Sequence, residues 1–154
     1  MYKITGKHAI HAVLNNPKRK NIVKKADYIL TSELFLSTDF EEIIQKYRKI
    51  ILIDNMTDIR NIGSVIRSAA IMGFAVLLRN TCTINEVTVQ CASGGIDSTA
   101  ICYVQNMKEN LRKLKDNGFW IIGLDERGKE ESLSLEKIVL VIGSEGKGMS
   151  SMIA

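Results

Sequence analysis

The sequence predicts an α/β fold built on a parallel sheet with helices on both faces. Two observations carry that prediction. Five short, continuous apolar runs, at 50–53, 75–78, 101–104, 119–122 and 138–142, read as strands buried on both sides. Helical patterns fall between several of them, notably over 61–72 and 107–117, and strands separated by helices imply parallel crossovers. In such sheets ligands gather at the carboxyl ends of the strands.

Length and composition fit this class. A chain of 154 residues, 45% of them hydrophobic, can bury one ordinary core and a small appendage. No apolar run approaches the roughly 18 residues that span a bilayer, and the first residues lack the pattern of a secretory leader, so a soluble, cytoplasmic protein is expected. Cys82, Cys91 and Cys102 are odd in number and lack C-x-x-C spacing, which points to reduced structural thiols rather than a disulfide framework or a zinc site. The net charge of +4 is unevenly distributed. Lys3, Lys7, Lys18, Arg19, Lys20, Lys24 and Lys25 all fall within residues 1–26, which hold no acid. Such a block suits either a phosphate backbone or a merely solvated basic face.

Taken in order, the first element is a short amphipathic helix between residues 6 and 15. Ala9, Ile10, Val13 and Leu14 recur at helical spacing, and Asn15-Asn16-Pro17 ends the pattern. His8 and His11 lie on it without a third metal ligand nearby, so they read as ordinary histidines. Residues 18–49 are charged and irregular; a helix over 39–47 and otherwise a linker are expected. In the helix over 61–72, Asn61 reads as the N-cap, Ile62, Val65, Ile66, Ala69 and Ala70 form the buried stripe, and Gly73 is placed to end it.

Arg67 does not fit a plain core helix. Helical side chains lean toward the N-terminus, so Arg67 projects over Gly63, which has no side chain to block it, and aims at the helix start. A planar five-donor fork there suits a phosphate or a developing oxyanion; the alternative is an arginine that snorkels to solvent.

The last strand run breaks into Gly143-Ser144-Glu145-Gly146-Lys147-Gly148. Met149 follows where a P-loop needs its lysine, and the glycines make only a damaged dinucleotide fingerprint. Glu145 would repel a phosphate. It suits a ligand with a positive centre, such as S-adenosylmethionine, while a tight turn into a helix would explain the glycines alone.

Together, Asn61-x-Gly63-x-x-x-Arg67 and Ile142-Gly143-Ser144-Glu145-Gly146-Lys147-Gly148-Met149 resemble the first and second signature motifs of the SpoU (TrmH-type) RNA 2′-O-ribose methyltransferases. Residues 90–125 are similar to the stretch between those motifs, and residues 4–20 resemble the start of the small RNA-binding domain of some members. The resemblance implies a methyltransferase domain over 50–154 of the trefoil-knot type, preceded by an RNA-binding segment and linker over 1–49. It implies S-adenosylmethionine as methyl donor, rRNA or tRNA as substrate, and a homodimer with RNA sites across the subunit interface. By the same resemblance Asn61, Arg67 and Glu145 fall on catalytic positions, and Gly143 on a cofactor-binding one. Gly123, Leu124 and Ser144 match loops lining the cofactor pocket.

The chain also departs from the family pattern. The third motif, an Ile-Pro-Met stretch followed by Ser-Leu-Asn-Val, does not occur before Ala154, and Pro17 is the single proline. Ile59 stands where many members carry proline, and residues 26–49 are too few to complete the small domain. These departures lead us to expect an incomplete knot, an uncovered apolar edge prone to association, and impaired activity. The competing expectations are a noncatalytic RNA-binding remnant acting through the basic first 26 residues, and an unrelated α/β domain binding ATP or NAD.

Overall fold

The computed structural model describes residues 1–129 and 134–143. Its chain order is β1 (Tyr2–Thr5), α1 (Lys7–Leu14), β2 (Val23–Lys24), β3 (Tyr28–Thr31), α2 (Phe40–Lys46), β4 (Lys49–Asp54), α3 (Ile59–Met72) and β5 (Ala75–Arg79). Then follow α4 (Glu86–Cys91), α5 (Gly95–Ser98), β6 (Ile101–Tyr103), α6 (Met107–Asp116), β7 (Trp120–Gly123) and β8 (Ile138–Gly143). Each of the five predicted strands is present, and they form one sheet in the order β6-β5-β4-β8-β7 with every pair parallel.

Alternation along the strands sorts their side chains onto two faces. Ile51, Ile53, Val76, Leu78 and Ile101 meet the apolar sides of α3, α4 and α5. Ile50, Leu52, Leu77, Val139 and Val141 meet Phe40, Ile43 and Ile44 of α2 and Leu114 of α6. Each side chain of this size that is fully buried contributes about 1.5–3 kcal/mol. Cover is thinner at the β7 end of the sheet, where Leu140 and Ile142 are half-buried and Trp120 is 64% exposed.

The segment 18–49 is more ordered than its composition suggested. It contributes β2 and β3, which with β1 make a small antiparallel sheet in the order β1-β3-β2. These strands are two to four residues long and lack a continuous apolar run, which is why pattern reading passed over them. Ile4, Ala9, Val13, Ile29 and Leu34 from this part share one buried cluster with α3–α5.

A buried ion pair ties the N-terminal segment to α5. Arg19 Nε donates to Asp97 Oδ1 at 2.7 Å, and the two side chains are 1% and 3% exposed. The remaining guanidinium nitrogens reach the Leu34 carbonyl at 2.8 Å, Asp97 Oδ2 at 3.1 Å and the Glu33 carbonyl. Asn16 Nδ2 adds a 2.9 Å hydrogen bond to the same carboxylate. This corrects the reading of Arg19 as part of an exposed basic block; its charge is consumed internally. The six lysines of that block are exposed. Among the described residues no helix is long and apolar enough to cross a membrane.

Candidate active site

The strand order sets where a site can form. From β4 the chain runs outward through β5 and β6, then crosses to β7 and returns as β8 beside β4, so the sheet reverses direction between β4 and β8. Ligands of open parallel sheets sit at such a reversal, beyond the carboxyl ends. The final pair of β4 and β8 is Asp54 with Gly143. Gly123 pairs with Val141, and the Leu124 amide donates to the Val141 carbonyl at 2.9 Å. Gly123, Leu124 and Gly143 are therefore neighbours along one edge, the first two exposed to solvent. Ser144 and Glu145 lie outside the described residues.

Asn61 stands in the first turn of α3, which the short connection after β4 delivers to this same edge. It is exposed, and it is not the cap. Asp58 caps the helix, its Oδ1 accepting from the amides of Arg60 at 2.9 Å and Asn61 at 3.3 Å. Both residue types suit a cap, and only the register of the turn decides between them. With Asp58 in that role, the Asn61 side chain is left for other work. At the other end Gly73 adopts φ 76, the left-handed conformation expected of it.

A polar cluster that sequence reasoning missed underlies the strand ends. The Asp54 carboxylate is completely buried and accepts from Arg79 Nη1 at 2.9 Å and from Asn55 Nδ2 at 3.4 Å. Asn80 Nδ2 donates to Asn55 Oδ1 at 3.2 Å, and both asparagines turn the chain with positive φ, 59 for Asn55 and 49 for Asn80. Arg79 Nε and Thr81 Oγ1 are buried without a hydrogen-bond partner among the described residues. The signal was in the sequence as two charged-then-asparagine pairs, Asp54-Asn55 and Arg79-Asn80, closing adjacent strands.

Arg67 is exposed and forms no hydrogen bond or ion pair among the described residues. It opens on a cleft of about 650 Å³ between α1, α3 and α5, whose walls include His8, His11, Asn15, Ser93 and Ile71. Asn61 does not line this cleft. Six residues of helix separate the two by about 9 Å along the axis and about 120° around it.

The reason for Gly63 also differs from the one the spacing suggested. A Cβ there would stand 2.6 Å from Cys91 Cβ and 2.9 Å from the Thr88 carbonyl. The glycine lets α4 close on α3 and leaves the path of Arg67 unaffected. A similar contact fixes the cleft: a Cβ on Gly95 would stand 3.1 Å from Arg67 Cα, and one on Gly94 3.0 Å from Ala12 Cβ.

The thiols take no visible part in this chemistry. Cys82, Cys91 and Cys102 are free, and burial pushes the Cys82 and Cys102 thiols above their ordinary pKa. Among the described residues no cluster of His, Cys, Asp and Glu could hold a metal ion.

The β7–β8 edge leaves room for the sulfonium cofactor that the motifs imply. Gly123 and Gly143 leave the backbone accessible, and the exposed Leu124 side chain offers an apolar face of the kind an adenine ring covers.

Residues 48–154 match the SpoU rRNA methylase family. A Staphylococcus aureus protein assigned to the TrmH family of tRNA/rRNA methyltransferases is 25% identical over 175 residues, spanning 96% of this chain and 71% of the relative. A Staphylococcus epidermidis protein of the same description is 31% identical over 128 residues, 75% of this chain and 51% of its own length. Among solved structures the fold is similar to the SpoU methyltransferase AviRb of Streptomyces viridochromogenes in complex with AdoMet, at TM-score 0.81 and 18% identity over 97% of this chain and 75% of that one. It is also similar to an AdoMet-bound rRNA methyltransferase of Sinorhizobium meliloti, at TM-score 0.77 and 16% identity over 98% of this chain and 73% of that one.

Proposed function

The chain belongs to the SpoU rRNA methylase family, and from that premise we propose that it methylates the 2′-hydroxyl of a ribose in rRNA or tRNA. The observation that carries the reading is the family match across 48–154, which takes in Arg67, exposed and unpaired on α3, and the side-chain-free edge at Gly123 and Gly143. Bound S-adenosylmethionine would supply an electrophilic methyl group on sulfur. Gly123, Leu124, Gly143 and Ser144 would hold it at the carboxyl ends of β7 and β8.

Arg67 would act as a fixed cation. A guanidinium keeps its proton and makes a poor base, so its work is to grip the phosphate beside the target ribose and stabilise the oxygen as it loses its proton. That phosphate would take the proton. Asn61 and Glu145 would orient the ribose, which raises the rate by holding the reactants in line.

The exposed lysines of residues 1–26 would attract the RNA backbone, with residues 1–49 serving the substrate and 50–154 the transfer. A cytoplasmic homodimer is part of the same proposal. The test is transfer of radiolabelled methyl from S-adenosylmethionine to unmodified ribosomal and transfer RNA, followed by nucleoside analysis. The expected result is 2′-O-methylated ribose with the wild-type chain, and a loss of at least about a hundredfold in kcat/KM with Arg67→Ala, the scale of removing one preorganised donor. Salt-sensitive RNA binding without transfer or cofactor binding would favour the noncatalytic alternative instead.

A further inference from the structure

The cleft beside Arg67 has walls that the transfer reaction does not use. Its α1 wall presents His8 and His11, both exposed, and its floor carries Ser93 and Asp97. The lining includes one carboxylate, Asp97, and that group is neutralised by Arg19 and further tied by Asn16. Arg67 is the other charge of the lining and has no ion-pair partner among the described residues, so the cleft attracts anions.

The His11 ring is held in one donor arrangement. Asn15 Nδ2 lies 2.9 Å from the His11 carbonyl, which can only accept, and this fixes which end of the amide faces the helix. The same Nδ2 lies 3.0 Å from His11 Nε2, so Nε2 accepts and the proton of the neutral ring sits on Nδ1. That N–H meets no acceptor among the described residues and is open to one on a ligand. The His8 side chain makes no hydrogen bond among the described residues.

The remaining wall is apolar. Ala12, Pro17, Ala70 and Ile71 line it, and Ile71 is 78% exposed on a helix whose opposite side is fully buried. A cleft of about 650 Å³ is far larger than a phosphate ion needs and falls within the range of small-molecule pockets. Donors and a cation on one side with an apolar ledge on the other match one nucleotide unit, its phosphate toward Arg67 and the histidines and its base or ribose face on Ile71.

We infer that this cleft is a nucleotide subsite, filled by the residue of single-stranded substrate RNA next to the methylated ribose, with His8 and His11 as positioning donors to its phosphodiester. The inference rests on the RNA methyltransferase reading and adds the N-terminal helix to the substrate site. Arg67 then touches both nucleotides, which is how register would be carried from one to the other.

The experiment uses the full chain and a fluorescein-labelled single-stranded RNA of mixed sequence, read by anisotropy, with S-adenosylmethionine affinity measured by calorimetry on the same samples. His8→Ala/His11→Ala should weaken RNA binding about tenfold, as loss of hydrogen bonds to a charged acceptor implies, while cofactor affinity stays unchanged. His11→Asn, whose amide nitrogen takes the place of Nδ1, should recover part of the loss. An RNA Kd within about twofold of wild type in the double variant, with methyl transfer intact, would overturn the subsite and leave the methyltransferase reading standing. Adenosine 5′-monophosphate binding as tightly as the RNA would also overturn it, by making the cleft a free-nucleotide site. Failure of the unsubstituted chain to bind RNA or S-adenosylmethionine would overturn both readings together.

Discussion

Arg19 and Arg79 are both arginines drawn into the interior by an aspartate, and the two pairs are finished differently. Arg19 meets Asp97 at 2.7 Å across 78 residues of sequence, and its other nitrogens are taken up by carbonyls and by the second carboxylate oxygen. Arg79 meets Asp54 at 2.9 Å between adjacent strands, stays 14% exposed, and leaves Nε buried without a partner. A buried charge is tolerated when its geometry and remaining hydrogen bonds are complete. The complete pair sits where two distant segments must be locked; the incomplete one sits at the strand ends, where the site is assembled.

The comparison predicts an order of losses. Arg19→Met strands a buried carboxylate and frees two carbonyls, so we expect it to cost about 3–5 kcal/mol in urea unfolding. Arg79→Met should cost less, about 1–3 kcal/mol, because Asn55 still donates to the buried Asp54 carboxylate and the orphaned Nε disappears with the side chain. A larger loss at Arg79 than at Arg19 would reverse the contrast. Asn16→Ala removes one of the hydrogen bonds on Asp97 and should cost about 1 kcal/mol, separating the contribution of the amide from that of the ion pair.

The exposed helical pair of Arg112 with Glu109, at 2.6 Å, marks the bottom of the scale. The Arg112 guanidinium, by hydrogen bond and then by charge, holds the Glu109 carboxyl below its ordinary pKa. A depressed carboxylate adds stability above its unfolded pKa and loses it as pH falls through the lowered one. Because the pair is open to water, Arg112→Ala should lower the urea midpoint at neutral pH only slightly, and that small effect should vanish in acid.

The main sheet was legible because each strand is a local statement, four or five apolar residues bounded by turn signals. The helix over 61–72 was legible for the same reason, and Gly73 marked its end. Features made by two distant segments were not. Arg19 looks like its lysine neighbours until Asp97 is folded against it, and Gly63 looks like a gap before Arg67 until Cys91 is brought within reach. At the site, Gly123, Leu124 and Gly143 were named through motif resemblance, and strand register makes them neighbours. The Asp54–Arg79 cluster went unread because its two charged-then-asparagine pairs gain meaning only once the strands they close are known to be neighbours.

Gly94 and Gly95 set how far apart the first helix and the third can stand. A methyl group at either would act as a shim, tilting one wall while every group that faces the opening keeps its identity. The calibre of the groove is thus written at two positions of its own lining that carry no side chain. Substituting them changes which guests are admitted before it changes how any guest is held.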